Sequence, residues 1–224
     1  AVIKAIEDAN KIPDTSTIDG FMSEEFQKNR QYKFNNETVQ GYGNILDKLY
    51  DDAKIMAYRV TNRSIPINDP IAKDKTVTLI TGTPASGKST FANEVAIKKK
   101  SMIIDSDEAK KTLPEFANGV GSNAVHTESK LMSFSLIDRA VAQGENIVIP
   151  RVGHKLDDVK KILKEFKDKG YRTEVLHIDV SPAEAFKRMI QRFLDTGKLI
   201  NIDYFESIDI KPKQVYNSIK TKFD

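Results

Sequence analysis

The sequence predicts an α/β fold, a parallel sheet with helices on both faces, preceded by an all-helical N-terminal extension. Three observations carry this. From residue 75 onward, short β-branched runs alternate with longer stretches of helical periodicity. The crossovers between the runs are long enough to bring each strand back parallel to the last. The pattern changes at residues 64–75, where Ser64-Ile-Pro-Ile-Asn-Asp-Pro-Ile71 reads as a loop. Residues 1–70 are therefore assigned to the extension and 71–224 to the α/β domain.

Within the extension, Asn36–Arg59 places Val39, Ile45, Leu46, Leu49, Ala53, Ile55 and Met56 at roughly helical spacing, and Ser23–Arg30 is a weaker helix with Ser23 as its cap. Thr76–Thr81 is short and β-branched, the composition of a buried strand. Helix is expected over Lys88–Lys98 and strand over Ser101–Ile104. A helix over Val125–Gln143 stops at Gly144, a favoured residue just past a helix end. Strand Asn146–Ile149 follows. Then comes helix Lys155–Lys169, with Leu156, Val159, Leu163 and Phe166 on one face, ending at Gly170. Thr173–Asp179 is the last strand. Ser181-Pro-Ala-Glu184 forms a capping box, and its helix runs to about Thr196. The tail after Lys211 is a further helix candidate.

The bulk numbers narrow the function classes. Of 224 residues, 39% are hydrophobic and 30% charged, the mix of a soluble globular chain. Lys plus Arg total 35 against 32 Asp plus Glu, a net charge of +3, and no basic stripe stands out. That balance argues against nucleic acid as the main partner. The Lys98–Lys100, Lys110–Lys111 and Lys160–Lys161 runs read as solvated helix ends. The absence of cysteine excludes disulfide scaffolds, thiolate metal sites and cysteine nucleophiles. No apolar run reaches the ~20 residues that span a bilayer, and residues 1–12 lack the apolar stretch of a signal peptide. The chain starts at Ala1, as expected of a processed product or a domain cut from a longer protein.

The most informative segment is Gly82-Thr83-Pro84-Ala85-Ser86-Gly87-Lys88-Ser89-Thr90. It satisfies the P-loop pattern and lies between a predicted strand and a predicted helix, which makes the sheet one of the P-loop NTPase type. The chemistry requires these residue types. Glycines let backbone N–H groups curl around phosphate oxygens, and the helix N-terminus adds partial positive charge. Lys88 can reach the β- and γ-phosphates, and the Ser89 hydroxyl can ligate magnesium. The expected ligands are ATP, or GTP, with Mg²⁺.

Downstream, Ile103-Ile104-Asp105-Ser106-Asp107-Glu108 ends a strand in acids. Strand C-termini line the ligand crevice of a parallel sheet, so Asp105 or Asp107 is expected near the phosphates. One could accept a hydroxyl proton and the other hold a metal-bound water; both could also cap the next helix. Arg188 and Arg192, four apart, share a helix face, and Lys198 follows Gly197 in a hinge-like stretch. These cations could neutralise charge on a transferring phosphoryl group, although Glu184 is also spaced to pair with Arg188.

Taken together, the residues resemble the zeta toxin family of P-loop kinases over about residues 75–200. The match rests on the P-loop, Ile104-Asp-Ser-Asp107, His126-Thr-Glu-Ser129, Gly144-Glu-Asn-Ile-Val-Ile149, Gly170-Tyr-Arg-Thr-Glu-Val175 and the helix bearing Arg188 and Arg192. The resemblance implies ATP-dependent phosphorylation of a sugar hydroxyl, typically on UDP-N-acetylglucosamine, by the toxin half of a toxin–antitoxin pair. It implies Asp107 as general base, Lys88 as phosphate clamp, Ser89 as magnesium ligand, and Arg192, Arg188 and Lys198 at the γ-phosphate; Asp105, at the strand end, is the second candidate at the metal or else a helix cap. By the same resemblance Glu128 falls where relatives have an acidic residue near the substrate side; a first-turn carboxylate on the helix dipole is the alternative. An antitoxin or inhibitory protein is the implied partner, and the cytoplasm of the producing or a target cell the implied location. Two departures stand out. Ala85 replaces a glycine, and the strand over Asn146–Ile149 ends in Pro150-Arg151-Val152-Gly153-His154 where the family has an acidic residue and Gly-Thr. Arg151, with His154, suggests an acceptor carrying its own negative charge. The alternatives are a polynucleotide kinase-like enzyme and a nucleotide-binding regulatory module without transfer activity.

Overall fold

The computed structural model describes residues 46–51, 71–113, 116, 122, 125–196 and 202–220. Residues 46–51 are helical, as expected of the Asn36–Arg59 stretch. The rest of the predicted extension, including Ser23–Arg30, lies outside the described residues. The chain divides into two compact units. One comprises Ala1–Tyr50, Asp105–Leu136 and Gln191–Ile200; the other comprises Asp51–Ile104, Ile137–Ile190 and Asn201–Asp224.

The second unit holds the sheet. Its strands are β1 (Thr76–Gly82), β2 (Met102–Ile103), β3 (Ile147–Arg151) and β4 (Arg172–Ile178), in the order β2-β3-β1-β4. Every pairing is parallel, with Val77 opposite Ile147 and Thr173. All seven residues of β1 are buried. Side chains alternate between faces along a strand, so both faces of β1 are covered. Helix α1 (Lys88–Lys99) packs on β1, β2 and β3, and α4 (Leu156–Asp168) packs on β4. The predicted apolar face of α4 goes inward through Val159, Leu163 and Phe166.

The remaining helices are α2 (Ser106–Lys110), α3 (His126–Gln143), α5 (Pro182–Thr196), α6 (Ile202–Ile208) and α7 (Lys211–Ile219). The α6 segment escaped the periodicity search because seven residues give fewer than two turns of pattern. Helix α7 lies against β1 and β4 and buries Val215 and Ile219.

One strand end differs from expectation. β3 continues past Ile149 through Pro150 to Arg151, in register with Ile80 and Thr81. Proline inside a sheet normally removes a ladder bond. Here the even-numbered residues of β3 face β2, as the Met102 N–H to Asn146 and Ile104 N–H to Val148 bonds show. The pairing with β2 stops at Val148, so the missing donor of Pro150 points where no strand remains.

Candidate active site

β1 delivers the chain into the P-loop at Gly82. A Cβ on Gly82 would lie 2.7 Å from Ser86 Oγ and 2.9 Å from the Ile178 carbonyl, so the loop is pressed against the end of β4. Ala85 adopts a positive φ of 60°, a conformation that costs an L-residue roughly 1 kcal/mol. The glycine that the family pattern places here would adopt it without that cost, which is the physical content of the departure noted in the sequence.

The loop ends at Gly87, whose φ of 92° starts α1. No side chain caps α1 and its first turn carries no acid. The opening N–H groups and the positive end of the helix dipole are therefore disposed as in an anion site. Thr83 Oγ1 is buried and without a hydrogen-bond partner among the described residues. Lys88 curls back over the loop, its Nζ donating to the carbonyls of Gly82 (3.0 Å) and Thr83 (2.6 Å). Glycine-lined turns, an uncapped helix start, an ammonium and an unmatched hydroxyl fit a nucleoside triphosphate.

Arg188 belongs to the same unit. Its Nη1 lies 4.0 Å from where a Cβ on Gly87 would stand, placing the guanidinium beside the loop. Its Nε donates to Glu184 Oε1 at 2.7 Å. Both sequence readings of Arg188 hold at once: it pairs with Glu184 and it faces the P-loop. Only half of the predicted capping box is made here, by the Glu184 N–H to Ser181 Oγ at 3.3 Å.

On the β4 side, His177 Nδ1 lies 3.0 Å from Thr81 Oγ1, and its ring stacks on Tyr216 at 5.3 Å. Burial, with Lys213 and Lys88 nearby, lowers the His177 pKa against the pull of Asp179. A cavity of about 320 Å³ opens here, with Thr83, His177, Asp179, Ser181 and Lys213 in its wall. Lys213 and Asp179 pair at 2.5 Å.

On the β3 side, Arg151 stands opposite Thr81 in the register. It is half-buried, and burial lowers its pKa while Asp158 opposes the shift. His154 meets Tyr204 edge-on at 6.1 Å, and burial with Lys155 and Lys211 lowers its pKa.

The first unit holds the acids. Asp105 is the N-cap of α2: its Oδ1 accepts the Asp107 N–H at 3.0 Å. The Asp107 carboxylate lies between two cations, Lys110 Nζ at 3.3 Å from Oδ1 and Arg192 Nη2 at 3.9 Å from Oδ2. Glu128, in the first turn of α3, is fully buried between the buried Thr127 and Ser129. Among the described residues, no cluster of three or more His, Asp or Glu could hold a metal ion.

The family model described as Zeta toxin matches residues 62–224. The chain belongs to the zeta toxin family. No curated protein matches the sequence. Among solved structures, one from the PezAT chromosomal toxin–antitoxin system of Streptococcus pneumoniae is 17% identical, with a TM-score of 0.64 over 84% of this chain and 75% of that one. The AvrRxo1-ORF1:-ORF2 complex with ATP gives 18% and 0.58, over 80% of this chain but only 59% of that chain. The Pnkp1/Rnl/Hen1 RNA repair complex gives 21% and 0.52, over 68% and 49%. At these identities the likeness is one of fold.

Set against the zeta toxin pattern, the nine P-loop residues and Arg188 come together in one unit, and Asp105, Asp107 and Arg192 in the other. Lys198 lies outside the described residues. Sequence reasoning missed three features. Lys110 was read as a solvated helix end, yet it is only 6% exposed. His177 sits inside a β-branched run and carries no motif. Asn146 is buried and ties Asp74 and Thr76 to the sheet through its side chain. The alternation of the last strand could have flagged His177; nothing local flags the other two. Among the described residues no helix is long and apolar enough to cross a membrane.

Proposed function

We propose that this member of the zeta toxin family is a kinase that moves the γ-phosphoryl group of ATP to a hydroxyl of a small, nucleotide-like acceptor. The observation that carries the reading is the uncapped start of α1 with the Arg188 guanidinium beside it. A cation fixed at a phosphate cradle serves transfer, because charge builds on the phosphoryl oxygens in the transition state.

In this reading Lys88 leaves the loop carbonyls to clamp the β- and γ-phosphates. Arg188 and Arg192, one turn apart on α5, neutralise the phosphoryl oxygens. Ser89 and Asp105 carry oxygen donors of the hard type that magnesium takes and would hold it, and the metal would supply charge neutralisation at the phosphates. Asp107 accepts the proton of the acceptor hydroxyl as its oxygen bonds to the γ-phosphorus and the bond to the β-phosphate oxygen breaks, releasing ADP. The cavity on the β4 side, reached from Thr83, takes the nucleoside end of ATP. Arg151 at the end of β3 favours an acceptor with a phosphate or pyrophosphate. An antitoxin that covers this site is the proposed partner.

The test is an acceptor screen. The protein is incubated with Mg-ATP and, separately, with UDP-sugars, nicotinamide dinucleotides, nucleosides and oligonucleotides, and products gaining one phosphate are sought by mass. Lys88→Ala is the control for the P-loop, and Asp107→Asn should bind ATP yet make no product. Phosphorylation that persists in Asp107→Asn removes Asp107 as the base. Product confined to the oligonucleotide arm would overturn the small-molecule reading.

A further inference from the structure

We propose that Lys110 is a positioning residue for Asp107, holding one carboxylate oxygen so that the other takes the proton; this rests on Asp107 being the base. Lysine is rarely buried, because taking an ammonium out of water is costly unless it is paired. Two successive lysines end this stretch and meet opposite fates. The Lys111 side chain is 58% exposed and reaches Glu108 on the surface. Lys110 is 6% exposed, and its Nζ has two oxygen partners: Ser122 Oγ, to which it donates at 3.1 Å, and Asp107 Oδ1 at 3.3 Å.

The two oxygens of Asp107 are therefore inequivalent. Oδ1 faces a buried ammonium that has little freedom to move. Oδ2 faces Arg192, whose side chain is 40% exposed and sits on the longer contact of 3.9 Å. An oxygen engaged by an ammonium is the poorer proton acceptor of the pair, so the proton goes to Oδ2. The Lys110 contact fixes the carboxylate plane and the Asp107 side-chain torsion, while Ser122 Oγ is a second acceptor for the same ammonium. All four side chains belong to one compact unit.

The 224-residue chain is assayed for ADP release from Mg-ATP with no added acceptor, water taking the acceptor's place. Lys110→Met should lower kcat by about tenfold or more and leave KM for ATP within about twofold, as expected when a reacting group is misplaced but binding is not. Lys110→Arg, which keeps the charge and reach, should recover most of the loss, and Ser122→Ala should cost little. Three-bond couplings to Asp107 Cγ report its side-chain torsion independently of turnover. They should show one rotamer in the parent and in Lys110→Arg, and averaging in Lys110→Met. An unchanged kcat with an unchanged rotamer in Lys110→Met overturns the proposal. So does a loss of kcat, KM and thermal stability together that Ser122→Ala reproduces, because Lys110 is then only a tether. If Asp107→Asn releases ADP as fast as the parent, the base assignment fails instead, and the couplings still decide whether Lys110 sets the rotamer.

Discussion

Arg188→Ala separates a transition-state arginine from a surface one. In the structure Arg188 makes one ion pair, Nε to Glu184 Oε1 at 2.7 Å, four residues apart on α5, with both side chains nearly half exposed. A pair of this kind contributes ~0.3–0.5 kcal/mol to stability. For a domain of this size that is about 1–2 °C in Tm. If Arg188 were only a surface residue, its loss would register there and nowhere else. Its Nη1 instead stands beside Gly87, where a phosphate would approach. Arginines that neutralise a transferring phosphoryl group are worth about 10³-fold or more in kcat. Arg188→Ala is therefore expected to cut phosphoryl transfer about a thousandfold while moving Tm by under ~2 °C. Glu184→Gln removes the orienting partner, and its effect is capped near twofold by the energy of an exposed pair. A coupled assay for ADP with the acceptor found in the screen, run beside thermal unfolding, reads both quantities. Arg188→Ala within tenfold of the parent, or Glu184→Gln as damaging as Arg188→Ala, would refute the reasoning.

Gly82→Ala should lower stability by about 1–3 kcal/mol, because its Cβ would meet the Ile178 carbonyl at 2.9 Å and backbone cannot step aside; Mg-ATP should no longer raise its Tm. Asn146→Ala should cost about 1–3 kcal/mol in denaturant titration, since it leaves the buried Thr76 N–H without its acceptor. The Tyr171 phenol, 3% exposed and donating to the Glu145 carbonyl at 3.0 Å, has its pKa pushed up to about 12, mainly by burial and then by Glu145. Its folded pKa is raised, so the stability it contributes is full below pH ~10 and is lost as pH rises toward 12. Ultraviolet titration should show a tyrosine ionising only near pH ~12, and Tyr171→Phe should remove that phase.

The parts legible in the sequence were those with local causes. Backbone geometry at the P-loop demands glycine, lysine and serine at set spacings, so nine residues announce it. Strand β1 and helix α4 declare themselves through composition and period, and their ends fall within a residue or two of expectation. The illegible parts depend on what meets what across the fold. Lys110 looks like any helix-end lysine until Ser122, twelve residues on, closes over it. His177 means nothing until Thr81 and Tyr216 reach it from two other elements. The helical extension rests on a pattern of which six described residues, 46–51, are helical.

The proposal that the acceptor carries a phosphate rests on the end of β3. The chain departs from the zeta toxin pattern at Pro150-Arg151-Val152, and the structure gives that departure a mechanical basis. Because β2 stops at Ile103, Pro150 can extend β3 without forfeiting a ladder bond, and the extra register carries Arg151 up beside Thr81. Thr81 immediately precedes the P-loop. Gly82 N–H then donates to the Val152 carbonyl at 3.3 Å, which ties the departing segment to the start of the loop. A guanidinium held there, half-buried with the Asp158 charge opposing its desolvation, is costly to keep without a use for its charge. An acidic residue at this strand end suits hydroxyls of a neutral sugar ring, whereas an arginine repels no phosphate and recognises one bidentately. Arg151→Glu should therefore weaken a phosphorylated acceptor by raising its KM while leaving KM for ATP near the parent value. If both rise together, Arg151 belongs to the nucleotide side of the sheet and the acceptor argument loses its anchor.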